Sequence, residues 1–184
     1  MRVTKTELYD RYYSVYPDKA KLYRGDTEMP NHCHNRVTFY SANTEAVAKL
    51  KQIFEDESCF GQIIPEPDWA NTPLMSSDMK ISGMDKGKLG ELPQYVEDPW
   101  RRLVFKSTGI SDDRWYDWRV NNWDTKWDCY DVVVTDDDPE SVEIEFNTAW
   151  SPPEAICNKI REDYPDVSVS WCYDEPGCEI AGYL

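Results

Sequence analysis

The sequence predicts an α+β fold in which two helices cover one face of a four-stranded antiparallel sheet. Segments with alternating apolar and polar residues, typical of strands, combine with segments that carry an apolar stripe at helical spacing. Their order is strand, helix, strand, strand, helix, strand. A stretch rich in proline and glycine interrupts this order after the first helix. The length of 184 residues suits about one domain with a large insertion.

The first strand is expected over residues 36–40, where apolar and polar side chains alternate. A helix is expected to follow near Thr44–Glu55, because Asn43 or Thr44 can act as its N-cap. Its apolar stripe consists of Ala46, Val47, Leu50, Ile53 and Phe54. One side of this helix should therefore be buried against the sheet.

An insertion is expected over residues 59–128. Its first half contains prolines and glycines at short intervals, which favours loops. Asp98 followed by Pro99 is typical of a helix start, so a helix running to Gly109 is predicted. Ser111 is expected to begin a second short helix. The insertion is thus predicted to consist of loops and helices.

The last third of the chain supplies the remaining elements. Strands are predicted at 129–135, 141–147 and 167–173, and a helix at 152–163. Ser151 and Glu154 form a capping box at the start of that helix, and Gly177 turns the chain into an extra edge strand. This order, with both helices on one face, is the ferredoxin-like split βαβ fold. Residues 1–28 would be an N-terminal appendage to a domain spanning 29–184.

The chain is strongly acidic, with 20 Lys and Arg against 35 Asp and Glu and a net charge of -15. In residues 129–184 the basic residues are Lys159 and Arg161, opposed by fourteen acidic ones. This charge disfavours direct binding to nucleic acid or to anionic membranes. No apolar segment suits an export signal or spans a bilayer, so a cytoplasmic location with six reduced cysteines is expected.

The acidic residues of the predicted hairpin are candidates for a partner-binding surface: Asp131, Asp136, Asp137, Asp138, Glu140, Glu143 and Glu145. They crowd one turn and one strand, and the hairpin contains no lysine or arginine to relieve their repulsion. One interpretation is a solubilising surface. The other is a surface that a basic partner recognises.

A tryptophan-rich cluster ends the insertion and is either a ligand pocket or a structural junction. Its members are Trp115, Trp118, Asn122, Trp123, Thr125, Lys126, Trp127 and Asp128, with Trp150 further along the chain. Aromatic walls with a few polar groups are common in small-ligand sites. Large aromatic residues also anchor an insertion to a core, which is the interpretation we favour. Asp128 could pair with Lys126 or Arg119.

The sequence lacks the usual signs of catalysis, of a metal or of a cofactor. No nucleophile motif or phosphate-binding loop is present, which favours a non-enzymatic protein. His32, Cys33 and His34 have no further ligands at zinc-site spacing, so no metal is expected. Glu143 and Glu145 should occupy the open sheet face where RNA-recognition domains carry stacking aromatics, which further disfavours RNA binding.

Four segments resemble the YubB-type ferredoxin-like family of bacteriophages and plasmids. They are residues 29–36 (MPNHCHNR), 122–128 (NWDTKWD), 146–153 (FNTAWSPP) and 174–177 (DEPG) with 180–182 (IAG). The resemblance covers residues 29–184 and implies a ferredoxin-like fold and a mobile-element origin, but no reaction. Two positions differ from the family pattern: His32 replaces a tryptophan and Asp124 replaces a glycine.

These observations predict a non-enzymatic acidic interaction protein of a phage or plasmid, acting in the bacterial host cytoplasm. Its partner would be a basic host protein, such as nucleic-acid-binding machinery. It would inhibit a host defence system by mimicking nucleic-acid charge, as an anti-restriction or anti-CRISPR protein. One alternative is a small-ligand-binding or enzymatic protein that uses the tryptophan-rich insertion, and another is an accessory or structural phage protein. The sequence leaves the oligomeric state open.

Overall fold

The computed structural model describes residues 31–75, 80–81, 84–85, 87–99 and 103–184. The appendage expected at residues 1–28 therefore lies outside the described residues.

Within the described residues the chain forms nine strands and four α-helices. The strands are β1 (His32–Tyr40), β2 (Lys80–Ile81), β3 (Met84–Asp85), β4 (Tyr95–Glu97), β5 (Leu103–Phe105), β6 (Tyr130–Asp138), β7 (Ser141–Ala149), β8 (Ser168–Glu175) and β9 (Ile180–Tyr183). The helices are α1 (Thr44–Glu55), α2 (Cys59–Ile63), α3 (Arg114–Trp123) and α4 (Glu154–Asp163), with a 3₁₀ turn at Trp69–Asn71. None of the described helices is long and apolar enough to cross a membrane.

The main sheet is antiparallel, with five strands in the order β6-β7-β1-β8-β9. Its first four strands have the ferredoxin-like order, and β9 extends the β8 edge, so the predicted fold is confirmed. The predicted strands are also present, and β1, β6 and β7 are longer than their sequence patterns indicated. The two smaller sheets, β2-β3 and β4-β5, belong to the insertion.

The core lies between the sheet and helices α1 and α4. Phe54 of α1 is at its centre, with ring centroids 5.6 Å from Phe39, 5.3 Å from Phe146 and 6.2 Å from Trp171. Helix α4 contributes the buried residues Ile156, Cys157 and Ile160. Because side chains alternate along a strand, one sheet face is buried under these helices and the other remains open.

The helix predicted between Pro99 and Gly109 is wrong. Leu103–Phe105 instead forms β5, which pairs with β4. Leu103 is exposed whereas Val104 and Phe105 are buried, and the Phe105 N–H donates to the Ile110 carbonyl. A turn at Gly109, whose φ is 64°, returns the chain at the point where the helix was expected to end.

The capping box predicted at Ser151 and Glu154 is also wrong. Helix α4 begins at Glu154, and its N-cap Pro153 offers no side-chain hydrogen bond. The Ala155 N–H is capped from outside the helix by Asp124, and the Ser151 hydroxyl donates to the Asp124 carbonyl. Sequence spacing gave no sign of this cap, since it comes from the end of α3.

Candidate interaction surface

The open face of the sheet is rich in carboxylates. Six of them lie on it: Asp131, Asp136, Asp138, Glu143, Glu145 and Asp174. Among the described strand residues on this face, Arg36 is the only lysine or arginine. The centre of the face forms an open depression of about 460 Å³, which Asp131, Glu145 and Asp174 help to line. We refer to these six carboxylates as the acidic face.

Arg36 forms ion pairs with two neighbouring glutamates on this face. It lies opposite Glu145 in the β1–β7 register, and its Nε and Nη2 donate to Glu145 Oε1 at 2.9 and 2.5 Å. Its Nε is also 3.7 Å from Glu143 Oε1. The hydrogen bond to Glu145 and the charge of Glu143 raise the pKa of Arg36. One cation therefore compensates part of the charge at the centre of the face.

Asp137 points away from the acidic face and pairs with α1. Its register partner is the buried Val142, so its side chain lies on the helix side of the sheet. Lys51 Nζ donates to Asp137 Oδ2 at 2.6 Å. The expectation that the hairpin's repulsion goes unrelieved is thus wrong, because Arg36 and Lys51 supply basic groups from outside the hairpin.

The remaining acidic residues of the open face and of the β6–β7 turn have no ion-pair partner among the described residues. These are Asp131, Asp136, Asp138, Glu140 and Asp174, and all are exposed. Asp131 Oδ2 accepts a hydrogen bond from Asn147 at 3.2 Å, and Asp138 Oδ1 accepts one from the Glu140 N–H at 3.0 Å. Asp174 was missed at the sequence level, although its alternation with the buried Trp171 places it on the open side of β8.

The two histidines also lie on the open face, where each contacts β6 or β7. His32 Nδ1 is 2.7 Å from the Tyr130 hydroxyl, and His34 Nδ1 donates to Asn147 Oδ1 at 2.7 Å. Cys33, between them, is buried on the helix side. The three residues therefore do not converge on a common point.

Trp123 anchors the insertion to the core. Its side chain is 1% exposed, and its ring contacts Phe60 and Trp118 at centroid distances of 5.8 and 5.7 Å. Its Nε1 donates to the Ile64 carbonyl at 3.0 Å. A fully buried tryptophan with its N–H satisfied acts as a packing residue, which favours the anchor interpretation for Trp123.

Arg119 joins the tryptophans to the loop after α2. Its guanidinium lies 5.1 Å from the Trp115 ring centroid and 4.8 Å from that of Trp123. It also donates to Glu66 Oε2 at 2.7 and 2.9 Å. Arg119 therefore makes cation–π contacts with two tryptophan rings and an ion pair with Glu66, which links helix α3 to the loop after α2.

Lys126 fills the space between three aromatic rings. Its Nζ is 5.5 Å from the ring centroid of Tyr116, 5.0 Å from that of Trp127 and 5.3 Å from that of Trp150. The preceding Thr125 hydroxyl donates to the Ala149 carbonyl at 3.0 Å and accepts from the Ala149 N–H at 3.1 Å. This part of the cluster fastens the end of the insertion to the end of β7.

The remaining polar members of the cluster bind backbone atoms. Asn122 Nδ2 donates to the Trp118 carbonyl at 2.8 Å. Asp128 Oδ1 accepts from the N–H groups of Phe60 and Cys129 at 2.9 and 2.8 Å. The pairing expected between Asp128 and Lys126 or Arg119 is therefore replaced by backbone hydrogen bonds.

Comparison with known proteins supports the fold. Residues 122–184 match the family model described as the ferredoxin-like domain in Api92-like protein. The crystal structure of a protein api92 from Yersinia pseudotuberculosis is similar at a TM-score of 0.51 and 11% sequence identity, over 84% of this chain and 93% of that chain. No curated protein matches the chain. At this identity the likeness shows the fold, and the origin implied by the YubB-type resemblance stays a prediction.

Proposed function

We propose that this protein is a non-enzymatic interaction protein whose acidic face binds a basic surface of a partner protein. The observation that carries the proposal is that six carboxylates, with one arginine among the described strand residues, lie on one open sheet face. Complementary charge of this kind speeds association and selects the partner. The surface is built on a rigid sheet, so its charges are held in place before a partner arrives.

A nucleic acid is a poor ligand for the same face. Ferredoxin-like domains that bind RNA stack bases on aromatic residues of their central strands. Here the central strands β1 and β7 present Arg36, Glu143 and Glu145 at the middle of the open face. Carboxylates repel the phosphate backbone, so the favoured partner is a protein that itself binds nucleic acid.

The specific form of the proposal is an inhibitor of a host defence system that mimics nucleic-acid charge. Successive open-face residues of one strand are about 6.6 Å apart, which gives Glu143 and Glu145 a regular spacing. The resemblance to a phage and plasmid family supports a host enzyme of the restriction or CRISPR type as target. The bacterial cytoplasm is the compartment in which such a target acts.

The geometry gives less support to a ligand pocket in the tryptophan-rich cluster. Trp123 is buried in the core, and the Lys126 side chain occupies the space between Tyr116, Trp127 and Trp150. No particular contact favours a structural role in a phage particle. The acidic face therefore remains the best-supported site.

Two matched variants allow a test of the proposal. The open-face variant combines Asp136→Lys, Asp138→Asn and Asp174→Lys, and the asparagine keeps an acceptor for the Glu140 N–H. The helix-side variant combines Glu55→Lys, Glu57→Lys and Glu162→Gln, which produces the same change in net charge at exposed positions. Neither variant alters a residue that pairs with Arg36 or Lys51.

The probe is the heparin-binding protein fraction of a bacterial lysate, applied to each immobilised chain. We expect the wild type and the helix-side variant to retain the same proteins, and the open-face variant to lose them. Added duplex DNA should release the retained proteins if the acidic face mimics nucleic acid. Equal retention by all three chains would contradict the proposed surface, and retention that DNA does not affect would contradict mimicry.

A further inference from the structure

A second cluster of reactive side chains lies at the base of the insertion, away from the acidic face. One ligand atom from each of Cys59, Asp128 and Cys129 lies within 4.8 Å of the other two. Cys59 is the first residue of α2, and Cys129 directly precedes β6. The three groups therefore meet where the insertion leaves the ferredoxin-like body and where it returns.

The backbone fixes the carboxylate in this cluster. Asp128 Oδ1 accepts from the N–H of Phe60, next to Cys59, and from the N–H of Cys129. Hydrogen bonds of this kind orient metal ligands in known sites. Cys59 is completely buried, whereas Cys129 and Asp128 are partly exposed, so the cluster has a dry side and a side open to water.

We propose that Cys59, Cys129 and Asp128 bind one zinc ion, with a water molecule as the fourth ligand. Two thiolates and a carboxylate are ligand types that Zn²⁺ accepts in tetrahedral geometry. On binding, the metal replaces the proton of each thiol, and both protons leave to solvent. The ion with its three anionic ligands carries a net charge of -1.

Such an ion would join the two ends of the insertion. The ligands are separated by about 70 residues along the chain, which explains why no zinc-like spacing is visible in the sequence. A ligand that binds the folded chain preferentially raises its stability by mass action. Zinc is therefore expected to hold α2 and the start of β6 together and to raise the melting temperature of the whole domain.

Titration of the reduced, metal-free chain with Co²⁺ tests the site. The wild type should bind one equivalent with thiolate-to-cobalt charge-transfer absorption and visible bands of tetrahedral coordination, both abolished by added Zn²⁺. Cys129→Ser and Asp128→Asn should lose or weaken these signals. The matched control is Cys172→Ser, which removes a partly exposed thiol on β8 and should bind like the wild type.

A thermal-melting comparison provides a second measurement in case a variant folds poorly. Zn²⁺ should raise the melting temperature of the wild type and of Cys172→Ser, and a chelator should reverse the rise. The proposal is overturned if the reduced wild type shows no thiolate-to-cobalt band. It is equally overturned if a folded Cys129→Ser variant keeps the band and the thermal shift.

Discussion

Asp124 caps helix α4 from the end of the preceding helix, because its Oδ2 accepts a 2.7 Å hydrogen bond from the Ala155 N–H. Asp124 itself has a left-handed backbone with a φ of 62°, which is uncommon for residues other than glycine. The Ser151 hydroxyl donates to its carbonyl. One residue thus ends α3 and holds the start of α4. The glycine expected here from the family resemblance suits this backbone, and the aspartate adds the cap.

Substitutions at Asp124 should separate the cap from the backbone conformation. Asp124→Gly loses a cap that contributes about 1 kcal/mol but relieves the left-handed strain, so it should stay within about 1 kcal/mol of the wild type. Asp124→Ala loses the cap and keeps the strained backbone, so its loss should be about 1–2 kcal/mol. Urea unfolding measures the free energy of unfolding of both variants. Equal losses in the two variants would contradict the assigned roles of the cap and the backbone.

Truncation of Trp123 should cost far more stability than truncation of Trp127. Trp123 is buried in the core, and Trp123→Ala should lower the free energy of unfolding by about 3–5 kcal/mol. Trp127 is only partly buried, and its ring contacts are with Lys126 and Tyr130, so Trp127→Ala should cost about 1–2 kcal/mol. The midpoints of denaturant unfolding measure both losses. A Trp123→Ala midpoint equal to that of the wild type would contradict the role of Trp123 as a packing anchor.

The buried pair of Arg114 and Asp112 should make the insertion sensitive to acid. Arg114 Nη2 is 2.8 Å from Asp112 Oδ2, and Nη1 and Nη2 also donate to the carbonyls of Thr72 and Trp69 at 2.9 and 2.6 Å. Burial alone would raise the pKa of Asp112, but hydrogen bonds from Arg114 and Tyr95 hold it below its usual value. The Asp112 carboxylate therefore stabilises the folded protein fully at pH values above its pKa in the unfolded chain, which is about 4. This stabilisation is lost as the pH falls through the lower pKa of Asp112 in the folded protein.

Asp112→Asn tests this pair. At neutral pH it leaves the Arg114 charge buried without its partner, so it should cost about 3–5 kcal/mol. Below the folded pKa of Asp112 the difference from the wild type should narrow. The control is Glu91→Gln in the exposed Lys88–Glu91 pair, which should cost less than about 1 kcal/mol at any pH. An Asp112→Asn loss that does not change with pH would contradict the assignment.

The ferredoxin-like body could be predicted from the sequence because its signals are local. The apolar stripe of Thr44–Glu55 and the N-cap Asn43 give α1 its observed bounds, and Asn43 Oδ1 accepts from the Ala46 N–H. The alternation of apolar and polar residues likewise indicated which side chains of β7 face the helices. The insertion was less predictable. Strand β5 forms because it pairs with β4, and the cap of α4 comes from Asp124, and neither contact can be recognised from the spacing of residues in the sequence.

The acidic face was predictable only in part for the same reason. The carboxylates of the β6–β7 hairpin are visible as a run in the sequence. Their compensation by Arg36 and Lys51 depends on strand register and on helix placement, and the addition of Asp174 depends on β8 lying beside β1. Three of the acidic residues predicted to bind a partner, Asp137, Glu143 and Glu145, are paired with Arg36 or Lys51 in the structure.

The most direct measurement of the central claim is the association rate with the heparin-binding bacterial proteins, followed by surface plasmon resonance at low and high salt. At low salt the open-face variant should associate about tenfold more slowly than the wild type, whereas the helix-side variant should associate at the wild-type rate. At high salt the three rates should converge, because screening removes the charge effect. An open-face variant that associates as fast as the wild type at low salt, or two variants slowed equally, would contradict the acidic face as the binding surface.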